Sequence, residues 1–244
     1  MKIVFDDVKL FRDIINAVGV VVEEATLKVD NDGIKLRALD LAEVSMVDLF
    51  LPKSLFTEYD VEPTEVTFRV SDALKLLKAS SNETMTIIPE ENQLKFRIIG
   101  EFTREFGIPR FTSATREAPP LNITLNNIFT TSVKVLKYIL NNGKYVSDTL
   151  RIETATNKVI LLAQSDVSSI KVELTAEDGT LIEPKISPDV RQSYDLLRLQ
   201  KIVGALTFVD LVKISFDTDM PLKMGVNLNS EGFLTYYVAP KLEE

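Results

Sequence analysis

The stretch DALKLLK (72–78) returns 123 positions later as DLLRLQK (195–201). A second pair, TLKV (26–29) and TLRI (149–152), is displaced by the same 123 positions. Two markers that agree on one shift indicate an internal duplication, and a repeat has to be recognised before a fold is named. Each half opens on an amphipathic helix, runs through strand patterns, reaches a second helix and ends on more strands. The expected division is 1–109 and 122–244 for two like domains, joined by a connector over 110–121. That connector, RFTSATREAPPL, is polar, lacks periodicity and ends near Pro119-Pro120, as a linking segment should.

The strands have their own signals. ATLKVDNDGIKLRALD alternates apolar and polar residues on both sides of Asn31-Asp32-Gly33, a hairpin cue. MTIIPEENQLKFRIIG does the same around Glu90-Glu91-Asn92, and LVKISFDTDMPLKMGVNL and EGFLTYYVAP continue the pattern. Strands outnumber helices and follow one another directly. The expected fold class is therefore α+β, with antiparallel sheets carrying two helices per half, rather than a βαβ winding.

Composition narrows the chemistry. The 244 residues include no Cys and no His. That removes disulfides, thiolate nucleophiles, the usual general base and the commonest zinc ligand. No cofactor is expected. The N-terminal MKIVFDDVKLFRD has no signal-peptide pattern, and no apolar run approaches the ~18 residues of a membrane span. The expected location is cytoplasmic. The formal net charge is −8, which argues against nucleic acid unless the positive charges are gathered on one face.

The four helix patterns do gather them. At about 100° per residue, residues 8–18 place Leu10, Phe11, Ile14, Ile15 and Val18 on one arc, and Lys9, Arg12, Asp13 and Asn16 on the other. Residues 132–142 place Val133, Leu136, Ile139 and Leu140 together, with Lys134, Lys137 and Asn141 opposite. In 71–81, Ala73, Leu74 and Leu77 face inward while Lys75 and Lys78 sit side by side; Arg198 and Lys201 repeat that geometry. One basic helix face is usually only solvated surface. Several such faces in an acidic chain point to a shared negative ligand met through its phosphates. Asp13 makes the first helix the weakest of the four.

Three further segments carry a resemblance. GIKLRALDLAEVSMVDLFLP (33–52), GEFTREFGIP (100–109) and PLKMGVNLNSEGFLTYYVAPKLEE (221–244) are similar, in this order, to segments of the DNA sliding clamps of the proliferating-cell-nuclear-antigen type, in their archaeal form. The resemblance covers the whole chain. It implies a trimeric, pseudo-sixfold ring, homo- or heterotrimeric, whose helices line a hole holding duplex DNA. It also implies a non-enzymatic processivity factor, nucleoid-associated, placed on DNA by a clamp loader and tethering polymerase, flap endonuclease and DNA ligase through short peptide motifs.

The resemblance assigns residues as well. DNA would be met by Lys9, Arg12, Lys75, Lys78, Lys134, Lys137, Arg198 and Lys201. The partner-peptide pocket would be built from Leu39, Val44, Met46, Pro119, Pro120, Leu121, Pro221, Tyr237, Ala239 and Pro240, although Leu39, Val44 and Tyr237 also suit a core. Subunits would join through 101–109, with Phe102, Arg104, Phe106 and Ile108, and 167–175, with Ile170, Val172 and Leu174. Asp13 and Gly19 depart from the lysine-rich first helix of the family, which would suit a ring shared with differently charged sister chains. Two other readings compete: a metal-dependent nuclease using Asp30, Asp32 and Asp40, whose acids sit where turns favour Asp, and a peptide-binding scaffold without nucleic acid.

Overall fold

The computed structural model describes residues 2–78, 82–112 and 118–242. The chain divides into two compact units, one gathering Met1–Pro119 with Asn227–Leu234, the other Pro120–Val226 with Thr235–Glu244. Part of the expected connector, 113–117, lies outside the described residues. Its first residues, Arg110 and Phe111, are fastened to the first unit: Arg110 donates to the carbonyls of Glu90 and Glu65 at 2.9 and 2.6 Å, and Phe111 N–H to Thr67 O at 3.2 Å.

The first unit runs β1 (Lys2–Phe5), α1 (Val8–Gly19), β2 (Glu24–Asp30), β3 (Gly33–Leu39), β4 (Ser45–Pro52), a 3₁₀ turn (Lys53–Leu55), β5 (Glu58–Asp60), β6 (Thr64–Arg69), α2 (Val70–Leu76), β7 (Thr84–Pro89), β8 (Gln93–Ile99) and β9 (Thr103–Pro109). The second runs β10 (Asn127–Ser132), α3 (Val133–Gly143), β11 (Thr149–Ala155), β12 (Lys158–Gln164), β13 (Ser169–Thr175), β14 (Ile182–Lys185), β15 (Arg191–Asp195), α4 (Leu196–Ala205), β16 (Leu211–Phe216), β17 (Leu222–Asn227) and β18 (Phe233–Val238). Strand neighbours in the first unit are β5-β1-β7-β8-β9 and β4-β3-β2-β6; in the second they are β14-β10-β16-β17-β18 and β13-β12-β11-β15. Adding nine to each strand number of the first unit gives the second. The duplication read from two short markers extends to the whole hydrogen-bonding plan, and the fold is α+β with antiparallel sheets.

Local chemistry explains the elements. The β2–β3 hairpin pairs Asp30 with Gly33, so Asn31-Asp32 is a two-residue turn. Gly33 has φ +154°, and a Cβ there would lie 2.2 Å from the Leu51 carbonyl oxygen, so only glycine fits. In the β7–β8 turn Glu90 N–H donates to Gln93 O at 2.9 Å. Three helices start on a side-chain cap: Asp7 accepts from Leu10 N–H, Ser132 from Val135 N–H and Asp195 from Arg198 N–H. Their apolar stripes are buried on the sheets. Phe11, Ile14, Ile15 and Val18 of α1 are at most 1% exposed, and Leu136, Ile139 and Leu140 of α3 at most 3%.

Helix α2 departs from its counterpart. Arg69 stands at its N-cap without a side-chain bond, Asp72 lies in the first turn, and the helix ends at Leu76 rather than running on to 81. Leu77, fully buried, leaves the helical path at ψ 52° to enter the core. Residues 79–81 of the expected helix lie outside the described residues. Among the described residues no helix is long and apolar enough to cross a membrane.

Two predictions follow the local chemistry. Asp195→Ala should lower the unfolding free energy by about 1 kcal/mol, the usual worth of an N-cap, whereas Asp72→Ala, whose side chain accepts from Lys75 in an exposed pair, should cost a few tenths; urea denaturation distinguishes them. In the β2–β3 hairpin, the hydrogen bond from Lys35 holds the Asp30 carboxyl below its ordinary 3.8. A depressed carboxylate contributes stability above its unfolded pKa and loses it as pH falls through the folded one. Asp30→Asn should therefore lower Tm at pH 7, with the deficit closing as the solution is acidified below about pH 4.

Candidate nucleic-acid-facing helices and strand edges

The basic residues of the four helices lie in unequal surroundings. On α1, Asp13 is only 6% exposed. It sits at the border of the polar arc beside the buried Ala17, and two cations cover it: Lys9 Nζ at 3.0 Å and Arg12 Nη1 at 3.2 Å. The sequence pattern placed Asp13 in the open; the structure encloses it, because its two neighbours can neutralise it there. The outward face of α1 is thereby partly cancelled. On α2, Lys75 is exposed and paired with Asp72 at 3.2 Å. Lys78 is exposed but lies beyond the helix, and its carbonyl accepts from Arg104 at 2.7 Å.

The helices of the second unit differ in kind. Neither α3, VKVLKYILNNG, nor α4, LLRLQKIVGA, contains an acidic residue. Lys134 and Lys201 are exposed. Lys137 is half-buried and donates to Leu206 O at 3.4 Å, a cation on the carbonyl end of α4. Arg198 is likewise half-buried. Gln200 donates to Asn141 Oδ1 at 2.8 Å and ties α4 to α3, which pack against each other. Positive charge without a carboxylate on the same helix is thus confined to the second unit.

β9 and β13 are two of the strands that end their sheets. β9 closes the row β5-β1-β7-β8-β9 and β13 closes β13-β12-β11-β15, each with one neighbour among the described strands. They cover the stretches expected to join subunits. Their inward side chains belong to their own units: Phe106 stacks on Phe96 with centroids 5.3 Å apart, and Ile108 and Leu174 are buried. Ile170 and Val172 are half-buried on the same face of β13. Arg104 is bound within its unit, its two terminal nitrogens on the buried Glu83 carboxylate at 2.6 and 2.9 Å. That pairing holds the guanidinium firmly charged. Phe102, 65% exposed, is the large apolar side chain left at the start of this edge.

The residues expected to take a partner peptide fall into two groups. Leu39 and Val44 are half-buried in the first unit, and Met46 is buried at 2%. Pro119, Pro120 and Leu121 are exposed, whereas Pro221, Tyr237, Ala239 and Pro240 are half-buried, with Lys223 Nζ 5.7 Å from the Tyr237 ring centre. The acids of the nuclease reading serve turns instead. Asp30 accepts from the N–H groups of Asp32 and Gly33, and Asp40 from those of Val44 and Ser45 at 2.8 and 3.1 Å.

Sequence reasoning passed over Tyr138, on α3 and 59% exposed, and Tyr145, in the turn after it and 82% exposed. The signal was available, because Tyr138 lies four residues after Lys134 and so shares its face.

Comparisons with known proteins bear on the whole chain. The family model described as proliferating cell nuclear antigen, N-terminal domain, matches residues 1–110. The chain is 30% identical over 246 residues to the DNA polymerase sliding clamp of Pyrococcus furiosus, covering 100% of this chain and 99% of that one. It is 32% identical over 250 residues to the DNA polymerase sliding clamp of Thermofilum pendens, covering 100% of each. Among solved structures, PCNA from Thermococcus kodakaraensis matches with a TM-score of 0.93 at 28% identity, over 98% of this chain and 99% of that one. A chain of the PCNA2–PCNA3 complex from Sulfolobus tokodaii matches with a TM-score of 0.91 at 27% identity, over 100% of both.

The enclosed carboxylate yields a prediction. Asp13→Asn keeps the shape and removes the charge that occupies Lys9 and Arg12. Binding to short duplex DNA should tighten roughly twofold to fivefold at low salt, one exposed charge being worth ~1 kcal/mol or less in water. The gain should fade as added salt shortens the screening length. Fluorescence anisotropy over a salt series checks both.

Proposed function

The chain belongs to the proliferating-cell-nuclear-antigen family of archaeal DNA polymerase sliding clamps, and from that premise we propose that it is one subunit of a trimeric ring that encircles duplex DNA and tethers replication and repair enzymes to it. It is a processivity factor and not an enzyme. The observation that carries the DNA contact is the acid-free basic surface of α3 and α4 on a chain of net charge −8. Cations gathered against the average charge hold a polyanion. Contacts made only to phosphate carry no base information, so the duplex can move past them.

Lys134, Lys137, Arg198 and Lys201 are the principal DNA contacts in this reading, with Lys75 and Lys78 next and Lys9 and Arg12 weakest. The edges β9 and β13 are the subunit joints. Each offers a row of backbone donors and acceptors, and pairing them between neighbouring chains extends the sheet. Phe102 and the half-buried Ile170 and Val172 supply apolar cover, while Arg104, Phe106, Ile108 and Leu174 hold the edges in shape from within. Clients, among them polymerase, flap endonuclease and ligase, bring short peptides with an apolar anchor. In this reading Leu39, Val44 and Met46 of the first unit, together with Pro119, Pro120, Leu121, Pro221, Tyr237, Ala239 and Pro240, are the residues assigned to them. A clamp loader opens the ring, and the working place is the cytoplasm, at the nucleoid.

Charge reversal tests the reading. Lys134→Glu with Lys137→Glu should reduce stimulation of a DNA polymerase on primed circular DNA at least tenfold, because several phosphate contacts turn repulsive in every subunit. Affinity for a client peptide, measured by calorimetry, should stay within about twofold, since no peptide-binding residue is altered. Unchanged stimulation would leave only a peptide-binding scaffold.

A further inference from the structure

Two exposed tyrosines, Tyr138 on α3 and Tyr145 in the turn after it, are not needed by a surface that meets phosphate alone. Lys134, Tyr138 and Asn141 fall within about 60° of one another around the helix axis, and Tyr145 lies in the turn two residues past its end. Tyr138 is 59% exposed and Tyr145 82%. Lys144 Nζ lies 5.1 Å from the centre of the Tyr145 ring, so a cation rides on an aromatic face already open to solvent. The nearest acid in the following segment, Asp148, is held by Lys241 Nζ at 2.8 Å. The stripe is therefore positive, aromatic and without a carboxylate of its own.

We propose that this stripe binds unpaired bases of single-stranded DNA where the strand leaves a duplex, with the rings of Tyr138 and Tyr145 as stacking platforms and Lys134 and Lys144 on the flanking phosphates. Lysine alone suffices for phosphate. An exposed ring adds something only against a flat partner, and every nucleobase offers a π-face once it is unstacked from its neighbours. The charge would attract an acidic protein surface as well as nucleic acid, but the pairing of ring and ammonium is the arrangement that tracks a single strand. The Gln200–Asn141 bond holds α3 against α4, so the platforms stand on a fixed support. This inference rests on the clamp reading, since it places the strand beside the duplex that α3 and α4 hold.

The test uses the full chain and three probes: a blunt duplex, the same duplex with a 5′ single-stranded extension, and oligo-dT. Anisotropy at low salt should show that Tyr138→Leu with Tyr145→Leu weakens the extended duplex and oligo-dT roughly tenfold, the usual loss for one or two stacked bases. The blunt duplex should be unchanged. Tyr138→Phe with Tyr145→Phe should restore binding, because the ring and not the hydroxyl is required. An equal loss on all three probes, no loss on any, or failure of the Phe pair to restore binding overturns the proposal. Lys134→Ala with Lys201→Ala should weaken all three probes; if it does not, the phosphate contact of the clamp reading fails, independently of the tyrosine result. Unchanged Tm confirms that each variant is folded.

Discussion

A helix of ten to twelve residues does not persist alone in water. α1, α3 and α4 exist because an apolar stripe of each is pressed into a sheet: Ile14 and Ile15 in α1, Ile139 and Leu140 in α3, Leu199 and Ile202 in α4, all at most 2% exposed. That burial fixes more than stability. Once one stripe is committed to the sheet, the residues opposite must face away from it. The composition of the outward faces is then free of packing constraints and available to select a ligand. The antiparallel sheets supply the rigid backing, and their repeated plan supplies it twice.

The two copies of the plan have diverged in charge more than in architecture. In the first unit, acids have been set among the helix cations, with Asp13 enclosed by Lys9 and Arg12 and Asp72 beside Lys75. In the second unit, the corresponding helices have none. At Asp72 and Lys75 the difference costs little in folding, because exposed ion pairs contribute little. Its effect falls on the long-range field instead. An acidic chain can present a positive surface from one half only, and a polyanion would lean toward that half.

Much of this was legible in the sequence, and the reasons are specific. Period-two alternation around Asn31-Asp32-Gly33 and Glu90-Glu91-Asn92 specified hairpins, since no other arrangement buries one side of each run. The shift of 123 positions revealed the duplication, because Thr26 with Thr149 and Asp72 with Asp195 mark matching elements, β2 with β11 and α2 with α4. The misjudged points are those settled by side-chain placement that a helical wheel does not carry. The helix beginning at Val70 stops at Leu76 because the core takes Leu77, and a wheel drawn for 71–81 cannot know that. Asp13 is enclosed because neighbouring cations reach over it, which makes burial of a carboxylate tolerable. For Tyr138 and Tyr145, exposure is a property of the folded surface.

The free edges differ from one another. β9 carries Glu105 and Gly107 beside an exposed Phe102, whereas β13 carries Lys171 and Glu173 joined at 2.9 Å. Joining unlike edges is head-to-tail association, and such association has no built-in stopping point. Whether it ends in a closed circle or runs on as a filament is decided by the angle each added copy introduces. The stoichiometry would then reside in the stiffness of the subunit rather than in the chemistry of its ends, and a loosened core would be felt first as an error in counting.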